Sequence, residues 1–257
     1  MSIPTSDSKR IPDRCSTIVW GSGDQTLVFL HYFGGAALSW QWVAAQMPDY
    51  RCVAINLPGF GGAPPLEQPS LSNYAAAIAA ELERLKIENY TLVGHSMGGK
   101  IALQLAATCD RSPQHLVLIA PSPPSQEPMP DEEKARLLNN HPSIDNAEQT
   151  VKSATCKALS KEQHDLAIQT QMAIDRTAWR WWLLEGMNHS IVDRVSHLQM
   201  PITVLASKDD PAIPYRTIQT GVIDLIPNAH LISTQGVGHL LPLEATEWVV
   251  TQLRNLD

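Results

Sequence analysis

Short apolar segments that end in glycine, proline or serine recur along the chain. They are TLVFLHYFGG from Thr26, YRCVAINLPGFGG from Tyr50, YTLVGHSMGG from Tyr90, HLVLIAPSPP from His115 and PITVLAS from Pro201. Continuous apolar runs rich in β-forming residues are typical of strands that are buried on both faces of a parallel sheet. The pattern therefore predicts a buried sheet whose strands end in loops.

Helical patterns alternate with these strands. The segment SLSNYAAAIAAELERLKIENY has the composition and apolar spacing of a helix, with Ser70 or Ser72 as its N-cap. A second helix, KIALQLAAT, is predicted to follow Ser96. Alternating strands and helices favour an α/β fold, in which a mostly parallel, twisted sheet carries helices on both faces.

The alternation stops after Ala120. The segment PSPPSQEPMP contains five prolines in ten residues, which the interior of a helix or strand does not tolerate. Helical patterns without strand signals follow in DEEKARLLNN, NAEQTVKSATCKAL, SKEQHDLAIQTQMAI and RTAWRWWLLEGM. We expect a helical cap over residues 122–198, inserted between core segments 1–121 and 199–257 and placed over the carboxyl edge of the sheet, where ligands of open α/β sheets bind.

Composition narrows the class of partner. The chain has 257 residues, 44% of them apolar and 18% charged, and a formal net charge of −7. This size and apolar content suit one large core with an insertion. The acidic balance and the lack of a lysine and arginine run argue against nucleic acid or an anionic membrane surface as partner, and favour an uncharged small molecule.

The remaining sequence signals concern location and metals. The segment MSIPTSDSKR lacks the apolar stretch of a secretory signal, and no apolar run approaches the length of a membrane span. The four cysteines are scattered, and the nine histidines form no HExxH pattern. We therefore expect a cytoplasmic protein without a membrane span, a metal or another cofactor.

One motif points to nucleophilic catalysis. Gly94-His95-Ser96-Met97-Gly98 is a G-x-S-x-G sequence directly after a predicted strand and directly before a predicted helix. In that context a sharp turn exposes the serine hydroxyl at the N-terminus of a helix, where an anion is stabilised. The sequence favours Ser96 as a nucleophile over a purely structural glycine-rich turn.

The chain also resembles the α/β-hydrolase superfamily from about Thr26 to its C-terminus. The resemblance is carried by HYFGG, LPGFGG, GHSMGGK, SKDDPAIP and GVGHLLPLE, together with the order of elements and the helical cap. It implies a serine nucleophile followed along the chain by an acid and then a histidine. No cofactor is implied.

The same resemblance indicates the base and the acid. A serine hydroxyl needs a histidine base that a carboxylate orients. His239, in the loop QGVGHLLPLE, matches the family's catalytic histidine, and a packing histidine is the alternative. The acid should follow PITVLAS, where the register of Ser207 and Pro214 favours Asp210 over its neighbour Asp209.

Two backbone N–H groups are implied as the oxyanion hole. They belong to Met97, which follows the nucleophile, and to Phe33, in the loop after the first buried strand. Tyr32 stands where the family usually has glycine, so we advance the hypothesis that its phenol reaches the pocket as an additional donor. His31 is expected to brace the loop.

The predicted cap supplies apolar pocket candidates. Trp179, Trp182 and Met187 are candidates for substrate contact, together with Tyr32 in the core. The helical spacing of the tryptophans also suits packing of the cap against the core, and favours it over direct contact with substrate. Either arrangement gives the pocket an apolar roof.

These residues predict a serine hydrolase that cleaves small-to-medium uncharged carboxylic esters through an acyl-serine intermediate. A lactonase would use the same residues and remains an alternative. A third possibility is a weakly catalytic receptor or regulator of the same fold, because fold alone does not determine function. The oligomeric state is not predicted.

Overall fold

The computed structural model describes residues 15–109 and 111–256. The N-terminal segment MSIPTSDSKR, on which the expectation about secretion rests, lies outside them. Within the described residues, one sheet is built from seven strands: β1 (Ser16–Trp20), β2 (Thr26–Leu30), β3 (Arg51–Asn56), β4 (Thr91–His95), β5 (His115–Ile119), β6 (Ile202–Ser207) and β7 (Ala229–Thr234). Their spatial order is β1-β3-β2-β4-β5-β6-β7.

Every strand pair of the sheet is parallel except the pair of β1 and β3. The central strands β2 to β5 are almost completely buried, as their continuous apolar sequences predict. The apolar runs did not predict β1. Its residues are either exposed or only partly buried, because it is an edge strand with a covered face and an open one.

Helices α1 to α11 cover the sheet and its carboxyl edge. Their bounds are α1 (Gln41–Ala45), α2 (Leu71–Arg84), α3 (Met97–Thr108), α4 (Asp131–Asn139), α5 (Ile144–Ala154), α6 (Lys161–Met172), α7 (Arg176–Leu184), α8 (Val192–Val195), α9 (Tyr215–Gly221), α10 (Leu241–Glu244) and α11 (Thr246–Arg254). Ser70 caps α2 by accepting a hydrogen bond from the Asn73 N–H, which confirms one of the two predicted N-caps.

Two apolar clusters lie against the sheet. One includes Ile78 of α2 and Ile101 of α3, and the other includes Val43 of α1 and Val249 of α11. The α/β fold with helices on both faces is thereby confirmed. None of the helices in residues 15–109 and 111–256 combines the length and apolar character needed to cross a membrane.

Helices α4 to α8 all lie between β5 and β6, within the stretch where the sequence predicts a cap. One predicted boundary is wrong, because α5 ends at Ala154 and does not continue toward Leu159. Thr155 is extended, with φ −112° and ψ 144°. The N–H groups of Cys156 and Lys157 then turn away and donate to the Glu244 carboxylate, at 2.8 Å each. A tertiary contact therefore replaces the next helical turn.

Candidate active site

Ser96 occupies a strained turn between β4 and α3. Its φ of 54° and ψ of −118° place a residue with a side chain in the left-handed half of the backbone map. The turn is held by two hydrogen bonds: Ser96 N–H donates to the Ile119 carbonyl at 3.0 Å, and Ser122 N–H donates to the Ser96 carbonyl at 3.1 Å. The surrounding structure thus maintains a conformation that the serine alone disfavours.

The glycines of the motif allow this turn to pack closely. A Cβ atom on Gly94 would lie 2.5 Å from the Gly98 carbonyl oxygen, and one on Gly98 would lie 2.6 Å from the Leu30 carbonyl oxygen. Both distances are shorter than van der Waals contact, so a side chain at either position would push α3 away from the strands. The G-x-S-x-G spacing therefore has a steric cause at this junction.

Three buried side chains form a continuous hydrogen-bonded chain. Ser96 Oγ lies 2.8 Å from His239 Nε2, and His239 Nδ1 lies 2.8 Å from Asp210 Oδ2. The other oxygen of Asp210 accepts from the backbone N–H groups of Ala212 and Ile213, at 2.8 and 2.9 Å. The carboxylate is thus oriented before it meets the imidazole.

Of the two adjacent aspartates, Asp210 faces His239. Asp209 instead accepts a hydrogen bond from the Gly236 N–H at 2.6 Å. Ser207, which stands where the family usually has glycine, bonds through its hydroxyl to the Val237 carbonyl and accepts from the Asp209 N–H. Asp209 and Ser207 therefore tie the loop after β6 to the loop that carries His239.

Electrostatics favour a charged acid and a basic imidazole. Burial acts to raise the pKa of Asp210, but the charge of His239 and the hydrogen bonds outweigh it and the pKa is lowered. Burial acts to lower the pKa of His239, but the charge and hydrogen bond of Asp210 outweigh it and the pKa is raised. The imidazole is therefore a stronger base than an isolated histidine.

Two further histidines hold the loops around Ser96. Burial lowers the pKa of His95 to about 3 and that of His31 to about 4, so both are neutral. His95 Nε2 donates to the His239 carbonyl at 2.8 Å. His31 Nδ1 donates to the Tyr32 carbonyl, and His31 Nε2 accepts from the Leu57 N–H. The expectation that His31 braces its loop is confirmed.

The candidate oxyanion donors are free. Among the described residues, the backbone N–H groups of Phe33 and Met97 have no hydrogen-bond acceptor. Met97 begins α3, where N–H groups lack partners within the helix. Phe33 and Ser96 line the same cavity. These two donors remain the predicted oxyanion hole.

The hypothesis for the Tyr32 phenol does not fit the structure. The ring covers the two glycines that follow it, since a Cβ on Gly35 would lie 2.6 Å from Tyr32 Cε1. Its hydroxyl oxygen is fully buried and has no hydrogen-bond partner among the described residues. The nearest polar groups that affect its pKa are the hydroxyls of Thr170 and Ser39. Tyr32 therefore gives the cavity its ring and not its hydroxyl.

A cavity of about 130 Å³ opens beside Ser96 and His239. Its apolar walls include Phe33, Met129, Leu137, Val151, Trp182, Ile213 and Leu240. Its polar lining includes Glu127, Glu133, Thr150, Ser153 and Gln171. In the part of the chain that the structure describes, no three histidine, cysteine, aspartate or glutamate side chains are grouped to hold a metal ion.

Two of the four pocket candidates lie outside the cavity lining, and their assignment is corrected. Trp179 is stacked between Phe33 and His141, with ring centroids 4.3 and 4.1 Å apart, and its Nε1 donates to the Leu137 carbonyl. Met187 is fully buried. Tyr32 and Trp182 do line the cavity. Helical spacing identified an apolar face of α7, but it did not show which residues of that face line the cavity and which pack behind the lining.

Three charged residues near the site were missed by sequence reasoning: Lys100, Glu127 and Glu244. Lys100 directly follows the G-x-S-x-G helix start, and Glu127 lies in the proline-rich segment after β5. The sequence offered one signal for each residue: Lys100 directly follows Gly99, and Glu127 follows a core strand. Nothing in the local pattern indicated that either would be buried.

Glu244 joins the predicted cap to the histidine loop. Its carboxylate accepts four backbone N–H groups: those of Cys156, Lys157 and Gly238 on Oε2 at 2.8 to 2.9 Å, and that of Leu240 on Oε1 at 3.2 Å. His239 N–H also donates to the Ala154 carbonyl, at 2.7 Å. The end of α5 and the loop of His239 are therefore held as one unit.

Glu244→Gln is expected to destabilise the fold by about 2 kcal/mol, because a neutral amide has a single acceptor oxygen for these N–H groups and loses charge-assisted bonds. The melting temperature should fall by about 5 °C. Thermal unfolding measures this, with Glu247→Gln, an exposed residue of the next helix, as the control. Equal melting temperatures for the two variants would contradict the role of Glu244.

Comparison with known proteins identifies the family. A model of the alpha/beta hydrolase family matches residues 27–252, which is most of the chain. The chain belongs to this family. The resemblance inferred from GHSMGGK and GVGHLLPLE is thereby confirmed, and both segments fall inside the matched range.

The individual relatives of this α/β hydrolase match only part of its sequence or share its fold at low sequence identity. A 2-succinyl-6-hydroxy-2,4-cyclohexadiene-1-carboxylate synthase from an Enterobacter species is 39% identical over 77 residues, 30% of each protein. The matched part of the chain spans about a third or less of the length of such curated relatives. An esterase from Exiguobacterium antarcticum shares the fold with a TM-score of 0.84 at 17% identity, over 93% of both chains. The structure of Est816, described as an N-acyl homoserine lactone degrading enzyme, gives 0.80 at 23% identity, over 95% of this chain and 96% of that one.

Proposed function

We propose that this α/β hydrolase cleaves carboxylic esters through an acyl-serine intermediate, with Ser96 as nucleophile, His239 as base and Asp210 as acid. The observation that carries the proposal is the unbroken chain of 2.8 Å hydrogen bonds from Ser96 Oγ through His239 to Asp210, beside a cavity. Nucleophile, base and orienting carboxylate in this geometry support acyl transfer.

The proposed reaction has two halves. Ser96 Oγ attacks the ester carbonyl while His239 Nε2 takes the hydroxyl proton, and Asp210 stabilises the imidazolium that forms. The N–H groups of Phe33 and Met97 stabilise the oxyanion, and the alcohol leaves with the proton from His239. A water molecule, deprotonated by the same imidazole, then releases the acid and restores the serine.

The cavity supports a small-to-medium substrate without negative charge. Its lining in the described residues contains the carboxylates of Glu127 and Glu133 and no lysine or arginine. A carboxylate-bearing compound, of the kind named for the synthase relatives, would find no lysine or arginine in this lining to pair with its charge. We therefore propose an uncharged ester, and a lactone of similar size remains the second candidate because ring opening uses the same residues.

Stopped-flow assays with p-nitrophenyl acetate and butyrate test the proposal. We expect a burst of p-nitrophenol that matches the enzyme concentration, and covalent labelling of Ser96 by an alkyl fluorophosphonate. Parallel rates with γ-butyrolactone and longer lactones separate the esterase from the lactonase. If the protein shows neither burst nor labelling, the receptor or regulator alternative is favoured.

The pH dependence of kcat/KM should follow His239. The imidazole must be neutral to accept the serine proton, and its pKa is raised by Asp210, with Glu127 and Glu244 acting in the same direction and neutral His95 alongside. Activity should therefore fall as the pH drops through a midpoint above 6.5, the ordinary value. Initial rates between about pH 5 and 9 measure this. A midpoint below the ordinary value would contradict the assignment.

A further inference from the structure

Glu127 is a buried carboxylate of the cavity that the proposed mechanism does not use. It lies in the segment between β5 and α4, where its backbone N–H donates to the Met187 carbonyl at 2.9 Å. The residue is 8% exposed and lines the same cavity as Ser96 and His239. Its charge acts to raise the pKa of His239.

No described residue meets the geometry of a hydrogen bond with the Glu127 carboxylate, although the Ser122 hydroxyl, which is also without a partner, lies near enough to lower the carboxyl's pKa against the effect of burial. Neither of its oxygens has a hydrogen bond to a described residue; Oε2 is fully enclosed, and the accessible surface is left to Oε1. The ammonium of Lys100 donates instead to the carbonyls of Ser125 and Met187, at 2.8 and 3.1 Å. Lys100 therefore supplies a positive charge nearby without occupying the carboxylate.

The second carboxylate of the cavity is different. Glu133 is paired with Arg136, whose Nε donates to Glu133 Oε2 at 2.8 Å. Its charge is already compensated, so Glu133 does not need a ligand. Glu127 is the carboxylate whose acceptor capacity is open to the cavity.

A buried carboxylate without a hydrogen bond is unfavourable, since it has lost water without gaining a donor. The cavity lining described here offers no lysine or arginine to supply one. Apart from the nearby Ser122 hydroxyl, a donor must then come from what fills the cavity. An O–H or N–H group of the substrate would satisfy the carboxylate and would be held at a set position relative to Ser96.

We propose that Glu127 is a specificity-determining residue, which selects esters that carry a hydroxyl or ammonium donor on the group that occupies the cavity. The proposal rests on the esterase function above and defines its substrate class more narrowly. Esters without such a donor would leave the carboxylate unpaired in the complex and would react more slowly.

Isosteric p-nitrophenyl esters test the proposal. Butyrate carries no donor, 3-hydroxypropionate carries a neutral donor, and β-alaninate carries a cationic one. Comparison of propyl acetate with 2-hydroxyethyl acetate covers a donor on the alcohol side. For each protein variant the measured quantity is kcat/KM of the donor ester divided by that of its apolar counterpart, so that a general loss of activity cancels.

We expect Glu127→Leu to lower this ratio about tenfold or more for both the hydroxyl and the ammonium donor. The effect should appear in the acyl series or in the alcohol series, according to which part of the ester occupies the cavity. Glu127→Gln keeps an acceptor oxygen but no charge, so it should retain part of the preference for the hydroxyl and lose the preference for the ammonium. This variant also carries the test if the leucine variant fails to fold. Glu132→Leu, on the exposed side of α4, is the matched control and should keep the wild-type ratios.

Three outcomes would overturn the proposal. Ratios unchanged by both Glu127 variants in both series would show that water or the Ser122 hydroxyl satisfies the carboxylate without the substrate. A Glu127-dependent preference for 3-methoxypropionate over pentanoate would show that the carboxyl donates instead of accepting. In these two cases, Ser96-dependent hydrolysis of the apolar esters would still support the proposed esterase function. The third outcome, a protein that hydrolyses no ester, would contradict both the esterase function and the role of Glu127.

Discussion

Replacement of Ser96 by alanine is expected to lower kcat for p-nitrophenyl butyrate by a factor of about 10⁵. The hydroxyl is the atom that forms the acyl bond in the proposed mechanism, and its 2.8 Å bond to His239 Nε2 activates it. Without it, only the oxyanion donors and substrate binding remain to accelerate attack by water. The KM should change little, because the side chain contributes one small group to the cavity.

Steady-state kinetics with enzyme purified free of host esterases measure this loss. Ser112→Ala provides the control, since Ser112 is exposed and lies far along the chain from the motif. Labelling by the fluorophosphonate should disappear with Ser96→Ala and persist with Ser112→Ala. Retention of more than about 1% of kcat in Ser96→Ala would contradict the assignment of the nucleophile.

The pair of adjacent aspartates gives the second large effect. Asp210→Asn should lower kcat by about 10⁴, because an amide can present its N–H₂ group to His239 and stabilise the wrong tautomer, and it cannot compensate the imidazolium. Asp209→Asn should cost less than about tenfold, because Asp209 only accepts the Gly236 N–H. The two substitutions are chemically identical and one residue apart, so each is the matched control for the other.

Measurements of kcat for both variants at pH 8 show which aspartate acts as the acid. Melting temperatures of the two variants show whether either loss comes from unfolding. A larger loss for Asp209→Asn would mean that the loop after β6 changes its register in solution. Equal losses would mean that the link from Asp209 to the histidine loop matters as much as the acid. Either result would contradict the geometry in which Asp210 Oδ2 lies 2.8 Å from His239.

Much of the fold was predictable because its signals are local. The buried strands β2 to β6 are continuous apolar runs, and Ser70 precedes its helix at the N-cap position. The edge strand β1 was missed, because two of its five residues are exposed and its sequence is therefore not a continuous apolar run. The end of α5 at Ala154 was also missed, since a carboxylate 90 positions away takes the N–H groups of the next turn.

The candidate site divides in the same way. Ser96 and His239 were predicted from motifs rich in glycine, and at Ser96 the neighbouring glycines leave room for the strained backbone that the turn requires. The choice between Asp210 and Asp209 depended on a register that one substituted position, Ser207, disturbed. In the folded loop the Asp210 carboxylate lies against His239 and that of Asp209 against the Gly236 N–H, which supports Asp210 as the proposed acid.

The order of residues along the chain was enough to predict the α/β fold, the turn that carries Ser96 and the identity of the histidine. The folded arrangement alone shows that the Tyr32 hydroxyl is buried, that Trp179 packs behind Phe33 and that Glu127 lines the cavity without a well-formed hydrogen bond. Strands, turns and caps follow from interactions among near neighbours in the chain. The partners of a cavity side chain are set by packing between segments that lie tens of residues apart, and no local pattern records them.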